Sequence, residues 1–240
     1  MNRLDKELLA RGLVATRSQA ESYIRLGQVT VNGRVATKTG LNVQKTDRVK
    51  LLAREQFVSR AGLKLSSVAD DLNLEFKNTV VLDVGSSTGG FTDFVLSRGA
   101  AKVIAVDVGT NQLHPSLRTN PKVELHEQTD IRDVTELSSV VDAVVIDVSF
   151  ISLREVLPHI TDLVGTKAII VAMVKPQFEA GDSLKHKGVI KNDKMRREIL
   201  KGFEVWATER FKIIDKTDSK VAGEKGNLER FYTLRVLPKN

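Results

Sequence analysis

The sequence of 240 residues contains no cysteine and only four histidines. The first absence excludes disulfides, thiolate metal sites and cysteine nucleophiles, and it is typical of a reducing compartment. The histidines are scattered, so we expect no metal site. No apolar run approaches the roughly 20 residues of a membrane span. The charged first residues, MNRLDKELLARGL, lack the apolar centre of a secretory signal. We therefore expect a cytoplasmic protein without a membrane segment.

Positive charge is distributed unevenly along the chain. Residues 1–55 contain 11 Lys and Arg against 5 Asp and Glu, a net charge of +6, whereas residues 56–240 contain 26 against 25, a net charge of +1. A compact basic module beside a near-neutral domain predicts that a polyanion is held by the first and acted on by the second. The alternative is a merely basic surface without a polyanionic partner.

Residues 1–55 show the pattern of two helices followed by a hairpin. Apolar residues at helical spacing over 4–9 predict the first helix. Thr16 begins the second, and Gln19 three residues later completes a capping box. Asn32 and Gly33 stand between alternating valines, which is the strongest short signal for a hairpin turn. A last strand is predicted at DRVKLL.

The segment RLDKELLARGLVATRSQAESYIRLGQVTVNGRVATK resembles the S4 RNA-binding domain. The resemblance is carried by TR at the start of the second helix, A-x-x-x-I-x-x-G along it, and V-x-V-N-G after it. In that family the helices and the hairpin form a basic face for structured RNA. Because Tyr23 is the only aromatic residue in this module, we expect contacts to phosphate and shape more than base stacking. The resemblance places on this face Arg11, Arg17, Arg25, Arg34 and Lys38.

From residue 79 onward, apolar β-branched runs alternate with helical segments. The runs TVVLDV, KVIAVDV, VVDAVVIDV and KAIIVAMV are typical of a doubly wound, largely parallel sheet. The late strands FKIID and RFYTLRV can form a hairpin, and a late antiparallel strand at the sheet edge is characteristic of S-adenosylmethionine methyltransferases. We therefore predict an α/β protein. It has a small S4-type α+β domain over 1–55, a linker over 56–60, and a Rossmann-like domain with a mostly parallel seven-stranded sheet over 61–240.

The loop in VLDVGSSTGGF, residues 81–91, has the form of a ligand-binding turn. Its D-x-G-x-x-x-G-G pattern is neither G-x-G-x-x-G nor a P-loop. Glycines let the main chain approach a ligand, and the following helix points free N–H groups at it. Asp107, about 20 residues beyond, suits a ribose diol, so NADP is disfavoured. Methyltransferases often contact adenine where Asp130 stands. A dehydrogenase remains the alternative for this loop alone. The predicted cofactor residues are Asp83, Gly85, Ser86, Ser87, Gly89, Gly90, Phe91, Asp107 and Asp130.

Charged residues stand where apolar strands end. Asp147 follows the third run, in IDVSFIS, and Lys175 follows the fourth, in MVKPQFE. Lys64 lies in a predicted helix before the sheet, and Glu229 immediately precedes the last strand. Such residues are unfavourable at the ends of apolar strands unless they are paired or used. The alternative is an ion-pair network that only fixes structure.

Together, SRAGLKL, LDVGSSTGGFTD, DVGTNQL, DVSFISL, VKPQFE and GNLERFYTL closely resemble the TlyA family of ribosomal RNA 2′-O-methyltransferases, also named haemolysin A. Its catalytic domain is of the FtsJ (RrmJ) kind and follows an S4 domain. The resemblance implies S-adenosylmethionine as cofactor, S-adenosylhomocysteine as product, and cytidine ribose in ribosomal RNA as target. It implies no obligate protein partner. The family's catalytic tetrad falls on Lys64, Asp147, Lys175 and Glu229.

The resemblance also bears on which ribosomal subunit is modified. Longer members of the family act on the RNA of both subunits and shorter ones on the large subunit alone. This chain has almost nothing before the S4 motif and 11 residues after Glu229. We therefore expect the large subunit, with the small subunit as the alternative.

The implied chemistry is an in-line displacement in which the enzyme aligns the reacting atoms and helps to remove the hydroxyl proton. Lys175 is the expected base or oxyanion partner. Lys64 supplies a second positive charge that favours a neutral Lys175, while Asp147 and Glu229 favour the charged form. The sequence leaves base and electrostatic stabiliser open. No metal is needed, because the sulfonium is already activated.

A glycine-flanked basic loop over residues 179–197 follows Lys175. It leads into a helical pattern and predicts a second RNA contact or a lid, with Lys185 and Lys187 among the RNA-binding residues. The alternative is a solvated loop and helix face.

Three other functions compete with ribose methylation. A non-catalytic RNA-binding or ribosome-assembly factor would have a degraded cofactor loop or tetrad, and neither is degraded here. A haemolysin would need a signal peptide, a membrane span or a marked amphipathic apolar helix, and the sequence indicates none. A base methyltransferase has no need of the lysine pair.

Overall fold

The structure is a computed structural model that describes residues 1–53, 57–181, 188–190, 192–223 and 226–238. The N-terminal module is a pair of helices with short strands. Its elements are β1 (Asn2–Arg3), α1 (Leu4–Ala10), α2 (Arg17–Arg25), β2 (Val29–Val31), β3 (Arg34–Val35), β4 (Asn42–Val43) and β5 (Val49–Leu51).

Local signals of the sequence are confirmed in this module. The Thr16 side chain accepts a hydrogen bond from the Gln19 backbone N–H at 3.1 Å, and the Gln19 side chain accepts one from Thr16 N at 3.2 Å, which completes the capping box. Asn32 and Gly33 have φ angles of 52° and 82°. Positive φ at both positions is the requirement of a type I′ turn, and the turn joins β2 to β3 antiparallel.

The second part of the chain alternates strands and helices as predicted. Its elements are α3 (Arg60–Ala69), β6 (Val80–Val84), α4 (Gly90–Ser97), β7 (Lys102–Val106), α5 (Pro115–Arg118), β8 (Val123–His126), a 3₁₀ helix (Ile131–Asp133), β9 (Ala143–Ile146), α6 (Leu153–Leu163), β10 (Ile169–Val174), α7 (Pro176–Glu179), α8 (Asp193–Ala207), β11 (Phe211–Asp218) and β12 (Arg230–Val236).

The seven strands β6–β12 form one sheet in the order β11-β12-β10-β9-β6-β7-β8. β12 is antiparallel to both of its neighbours, β10 and β11, and the other pairings are parallel. The predicted mostly parallel sheet with a late antiparallel strand is confirmed. The predicted position of the antiparallel strand at the edge of the sheet is wrong. β11 pairs with the outer side of β12 and is the edge strand, so β12 lies between β11 and β10.

Side chains on the two faces of the sheet form two apolar clusters. Along β10, Val171 and Met173 belong to one cluster, and Ile170 and Ala172 belong to the other, as the period of two residues in a strand requires. Helices α6 and α8 complete the second cluster, whereas α3 and α4 pack on the first. The site therefore lies on a sheet that is covered on both faces.

The N-terminal module shares the first cluster with the sheet domain. Tyr23 of α2 and Phe57 are buried in that same cluster. Gln19 Nε2 donates a buried hydrogen bond of 3.0 Å to Phe57 O, and Arg60 Nη1 donates one of 2.6 Å to Ser18 Oγ. These contacts fix α2 beside the start of α3. Within the described residues, no helix combines the length and apolar character needed to cross a membrane.

Candidate active site

The carboxyl ends of four parallel strands converge at one edge of the sheet. β6 leads to Gly85, β7 to Asp107, β9 to Asp147 and β10 to Lys175. In an open α/β sheet this edge is where ligands bind. The strand-end residues singled out in the sequence are thus brought together.

Two lysine–carboxylate pairs form the chemical centre of the site. Lys175 Nζ lies 2.6 Å from Asp147 Oδ1, and Lys64 Nζ lies 2.9 Å and 2.7 Å from the two Glu229 oxygens. The exposed fractions of Lys64, Lys175 and Glu229 are only 7%, 8% and 3%. All four residues line one cleft of about 620 Å³, which α2 of the N-terminal module also borders. The predicted tetrad is therefore a spatial unit.

Close packing of two glycines places Lys64 in this unit. A Cβ atom on Gly62 of α3 would lie 2.8 Å from Gly90 O, and one on Gly90 of α4 would lie 2.7 Å from Gly62 N. No side chain fits between the two helices at this point. Gly62 stands in SRAGLKL, but its partner is not evident from the sequence.

Burial and ion pairing act in opposite directions on Glu229. Burial raises the pKa of this carboxyl, and the neighbouring Lys64 ammonium offsets part of the rise. Asp147 adds a further upward influence and Lys175 a further downward one. Each lysine stands beside its own carboxylate, which compensates the cost of burying charge.

Ser149 and Phe150 are site residues that the sequence analysis did not single out. Lys175 Nζ donates a hydrogen bond of 2.7 Å to Ser149 Oγ. The Phe150 side chain is 91% exposed at a φ of 65°, and its ring centroid lies 5.2 Å from that of Phe178. Both residues follow Asp147 directly in DVSFIS, so proximity to the strand end was the available signal.

Glu179 joins the turn after Lys175 to the loop after Asp147. Its carboxylate accepts hydrogen bonds from Ser152 Oγ at 2.6 Å and from Leu153 N at 2.7 Å. Burial raises the pKa of Glu179, and these two hydrogen bonds counteract the rise. The two loops that carry the Lys175–Asp147 pair are thereby fastened to each other.

A second cavity of about 380 Å³ lies on the other side of Asp147. Four of the predicted cofactor residues line it, namely Gly85, Ser87, Asp107 and Asp130. Asp107 accepts hydrogen bonds from the backbone N–H groups of Ser87 at 2.8 Å and Gly109 at 2.7 Å. Gly85 has a φ of +79°, and a Cβ atom there would lie 2.9 Å from Asp147 O. At Gly85 a ligand in the cavity can therefore approach the backbone closely, and the Asp107 carboxylate is held in place by two backbone N–H groups.

The other predicted cofactor residues lie behind this cavity. None of them is among its lining residues. Gly89 has a φ of +91°, a left-handed conformation that favours glycine, and a Cβ there would lie 2.3 Å from the end of the Leu117 side chain. Phe91 is buried against Phe231, with ring centroids 6.1 Å apart. Cofactor contact stays a prediction for Asp83, Ser86, Gly89, Gly90 and Phe91, which do not line this cavity.

Asp83 is a buried residue that connects the end of β6 to helix α4, on either side of the glycine-rich loop. It is completely buried, and its Oδ2 accepts a hydrogen bond of 2.6 Å from Thr92 Oγ1 of α4. Burial raises the pKa of Asp83 to about 7. Strand alternation explains the position, because Asp83 shares its face of β6 with Val81, which packs toward α3 and α4.

The cavity and the cleft share four lining residues, Ser87, Asp147, Ser149 and Phe150. A group bound in the cavity and a group bound in the cleft would meet at this boundary. The Lys175 ammonium lies against the boundary through its contacts with Asp147 and Ser149.

The predicted RNA face is only partly free in the structure. Arg17, Arg25, Arg34 and Lys38 are exposed. Arg17, although exposed, is paired with Asp5 at 2.8 Å. Arg11 is held by Glu7 at 2.9 Å and by three backbone carbonyls of residues 44, 45 and 47. Lys185 and Lys187 lie outside the described residues. Among the residues that are described, no cluster of three or more His, Asp or Glu could hold a metal ion.

Comparison with known proteins agrees with this arrangement. The family of FtsJ-like methyltransferases matches residues 57–236, and the S4 domain matches residues 2–49. The chain is similar to a 23S rRNA (cytidine-2′-O)-methyltransferase, TlyA, of Campylobacter jejuni, with 44% identity over 78% of this chain and 74% of that protein. It is also similar to a 16S/23S rRNA (cytidine-2′-O)-methyltransferase, TlyA, of Mycobacterium tuberculosis, with 37% identity over 98% and 90% of the two chains. A solved structure from Streptococcus thermophilus, described as a hemolysin, has a TM-score of 0.74 and 34% identity and covers 99% of this chain and 89% of that one.

Proposed function

The chain belongs to the FtsJ-like methyltransferase family, and from this premise we propose that it methylates the 2′-hydroxyl of a cytidine ribose in ribosomal RNA. One observation carries the proposal. The Lys175–Asp147 pair lies where a cofactor-sized cavity meets a cleft bordered by an S4-type module, and the Lys64–Glu229 pair lines the same cleft. Transfer to a hydroxyl needs a group that manages the departing proton, and a buried lysine beside the boundary meets that need. The names of the relatives support the same target.

The cavity fits S-adenosylmethionine in the chemistry of its lining. The Asp107 carboxylate suits a ribose diol, Asp130 stands further along the cavity, and Gly85 leaves room for close backbone approach. When bound, S-adenosylmethionine supplies a methyl group already activated by a sulfonium. We assign Gly85, Ser87, Asp107 and Asp130 to holding it. Asp83 and the two glycines at the start of α4 support that loop through packing.

The tetrad performs the remaining work on the ribose. In its neutral form, the Lys175 amine takes up the proton of the 2′-hydroxyl at the boundary between cavity and cleft and becomes an ammonium. Asp147, 2.6 Å away, holds the ammonium that results. Lys64 contributes a second positive charge, and Glu229 keeps it in place through both carboxylate oxygens. Holding the hydroxyl in line lowers the entropic part of the barrier.

The N-terminal module is assigned to docking the RNA. Its exposed cations are Arg17, Arg25, Arg34 and Lys38, and α2 also borders the catalytic cleft. Phosphate contacts from such a face fix the register of the RNA without reading its sequence. The exposed Phe150 ring offers an apolar surface to an unstacked base beside the tetrad.

We propose the large ribosomal subunit as the substrate and the cytoplasm as the location. The relative from C. jejuni is named for 23S rRNA alone and is 44% identical over the matched region. The small subunit is the alternative, because the relative from M. tuberculosis is named for both RNAs.

The decisive experiment offers each unmodified ribosomal subunit to the protein with methyl-labelled S-adenosylmethionine. A 2′-O-methyl group removes the nucleophile that cleaves RNA in alkali. We therefore expect label in the large-subunit RNA and a gap at one cytidine in its alkaline ladder. A complete ladder from fully labelled RNA would place the methyl group on a base and refute the proposal.

A further inference from the structure

The Ser149 hydroxyl lies at the boundary of cavity and cleft and has no role in the proposed function. Ser149 lines both spaces, and its Oγ accepts a hydrogen bond of 2.7 Å from Lys175 Nζ. Asp147 Oδ1 stands 2.6 Å from the same nitrogen as an ion pair, but within the described residues it accepts no hydrogen bond. The directional contact of the ammonium is therefore the one with Ser149.

The local backbone does not explain this serine. Serine hydroxyls near helix starts commonly cap the helix. Here Ser152 does so for α6, since its Oγ accepts from Arg154 N at 3.1 Å. Within the described part of the chain, the only hydrogen bond of the Ser149 side chain is the one with Lys175.

A lysine ammonium needs a directional partner if it is to act at a fixed point. Its four-carbon stem is flexible, and a nearby carboxylate attracts the charge without fixing its orientation. The neutral amine that accepts the 2′-hydroxyl proton has two N–H donors and one lone pair, whereas the ammonium has three donors and no acceptor. With one N–H directed at Ser149 and the other facing Asp147, the lone pair is available to the substrate hydroxyl.

We propose that Ser149 is a positioning residue for methyl transfer, which orients Lys175 Nζ toward the ribose 2′-hydroxyl. This inference rests on the proposed function. Ser149 acts through Lys175, and neither RNA nor cofactor binding depends on its hydroxyl. Misplacement of a reacting group by about 1 Å can cost about a hundredfold in rate, so a single orienting hydrogen bond has a measurable effect.

The test compares Ser149→Ala with Ser149→Thr in the full chain. We expect Ser149→Ala to lower kcat by about tenfold to a hundredfold, with KM for the ribosomal subunit and for S-adenosylmethionine within about twofold of wild type. Ser149→Thr keeps a hydroxyl and should restore most of kcat. Because Ser149 is exposed in the cleft, all variants should unfold at the wild-type temperature, which thermal melting verifies.

A matched control exists at the amino ends of the parallel strands, opposite the active site. Ser138 also accepts a hydrogen bond from a lysine, Lys102 Nζ at 3.0 Å, and Ser138→Ala should leave kcat unchanged. The inference is overturned if Ser149→Ala keeps the wild-type kcat, or if it raises KM as much as it lowers kcat/KM. It is also overturned if Ser149→Thr is as slow as Ser149→Ala. The proposed function fails separately, when the wild-type protein itself leaves both subunits without a 2′-O-methyl group.

Discussion

Lys64 Nζ contacts both carboxylate oxygens of Glu229, at 2.9 Å and 2.7 Å, although 165 positions separate the two residues in the chain. One lies on α3 before the sheet and the other immediately precedes β12. The pair therefore joins distant parts of the chain as well as lining the active site. Its contribution to the stability of the fold and its contribution to catalysis can be measured separately.

The first prediction concerns this buried pair. Lys64→Ala leaves the Glu229 charge without its cation, which should lower the free energy of unfolding by about 3–5 kcal/mol. The double variant Lys64→Met with Glu229→Leu removes both charges and should recover most of that loss, because apolar replacement of a buried pair is often neutral. Urea denaturation gives both values. The double variant should nevertheless be inactive in methyl transfer. Equal stability of Lys64→Ala and wild type would contradict the assignment.

The second prediction concerns pH and Asp83. The folded state holds the proton of this carboxyl more tightly than the unfolded state, since burial raises the pKa from 3.8 to about 7. The stabilisation is therefore complete below pH 3.8 and is lost as the pH rises through about 7. Asp83→Asn keeps an acceptor for Thr92 and should remove this loss. The difference in unfolding free energy between pH 5 and pH 8 should be smaller in the variant by about 2–3 kcal/mol.

Asp142→Asn is the control for that measurement. Asp142 is an exposed carboxylate that accepts a hydrogen bond from Val80 N at the opposite end of β6. This variant should show the same change between pH 5 and pH 8 as wild type. If Asp83→Asn also shows the wild-type change, another buried group carries the pH dependence.

The third prediction concerns the cofactor. Asp107→Ala should weaken binding of S-adenosylmethionine and S-adenosylhomocysteine by about 1–3 kcal/mol, because the ribose hydroxyls lose their acceptor. Isothermal calorimetry measures the change, and Asp215→Ala on the distant strand β11 should leave binding unaltered. Tight binding of NAD, with no heat from S-adenosylmethionine, would disprove the cofactor assignment.

The fourth prediction concerns the basic face. Reversing the charges of Arg25, Arg34 and Lys38 to Glu should weaken binding to the ribosomal subunit and leave cofactor binding unchanged. Each lost phosphate contact should lower the slope of log affinity against log salt by about 0.7–0.9. Substitution is preferable to removing residues 1–55, because Tyr23 lies in the core shared with the sheet domain. Lys167→Glu, exposed before β10, is the control. An unaltered salt slope in the triple variant would remove this face from the RNA site.

Much of this architecture could be predicted from local pattern. Asp147 and Lys175 were placed correctly because parallel strands bring their carboxyl ends to one edge, which needs only the strand boundaries. The capping box of Thr16 and Gln19 is likewise local. The pairing of each lysine with a particular acid depends on tertiary packing. The same is true of the Gly62–Gly90 contact, which lets α3 pack closely against α4.

The role of Asp83 could not be predicted from the sequence pattern alone. The sequence places it at the start of a glycine-rich loop, and from there both a ligand contact and a buried support are reasonable. The face of β6 decides between them, because Asp83 points with Val81 toward α4 and away from the cavity. The position of β12 was missed for a related reason. Strand order depends on which edge β11 occupies, and the hairpin alone does not specify it.

The fifth prediction concerns the reacting amine. Lys175→Ala leaves Asp147 without its cation and should lower stability, as argued for Lys64→Ala. It should still fold and bind both substrates, because Asp147 borders the open cavity and cleft and Lys175 contributes little to either apolar cluster. Methyl transfer should fall by about a hundredfold or more, the usual scale for a positioned proton-transfer group. The assay is label incorporation into the large-subunit RNA, followed by its alkaline ladder. RNA treated with wild type should show the gap at one cytidine, and RNA treated with Lys175→Ala should not. Lys201→Ala, at an exposed position of helix α8, should give the wild-type gap. If Lys175→Ala produces the gap at the wild-type rate, the proton is removed by another group and the tetrad has only a structural role.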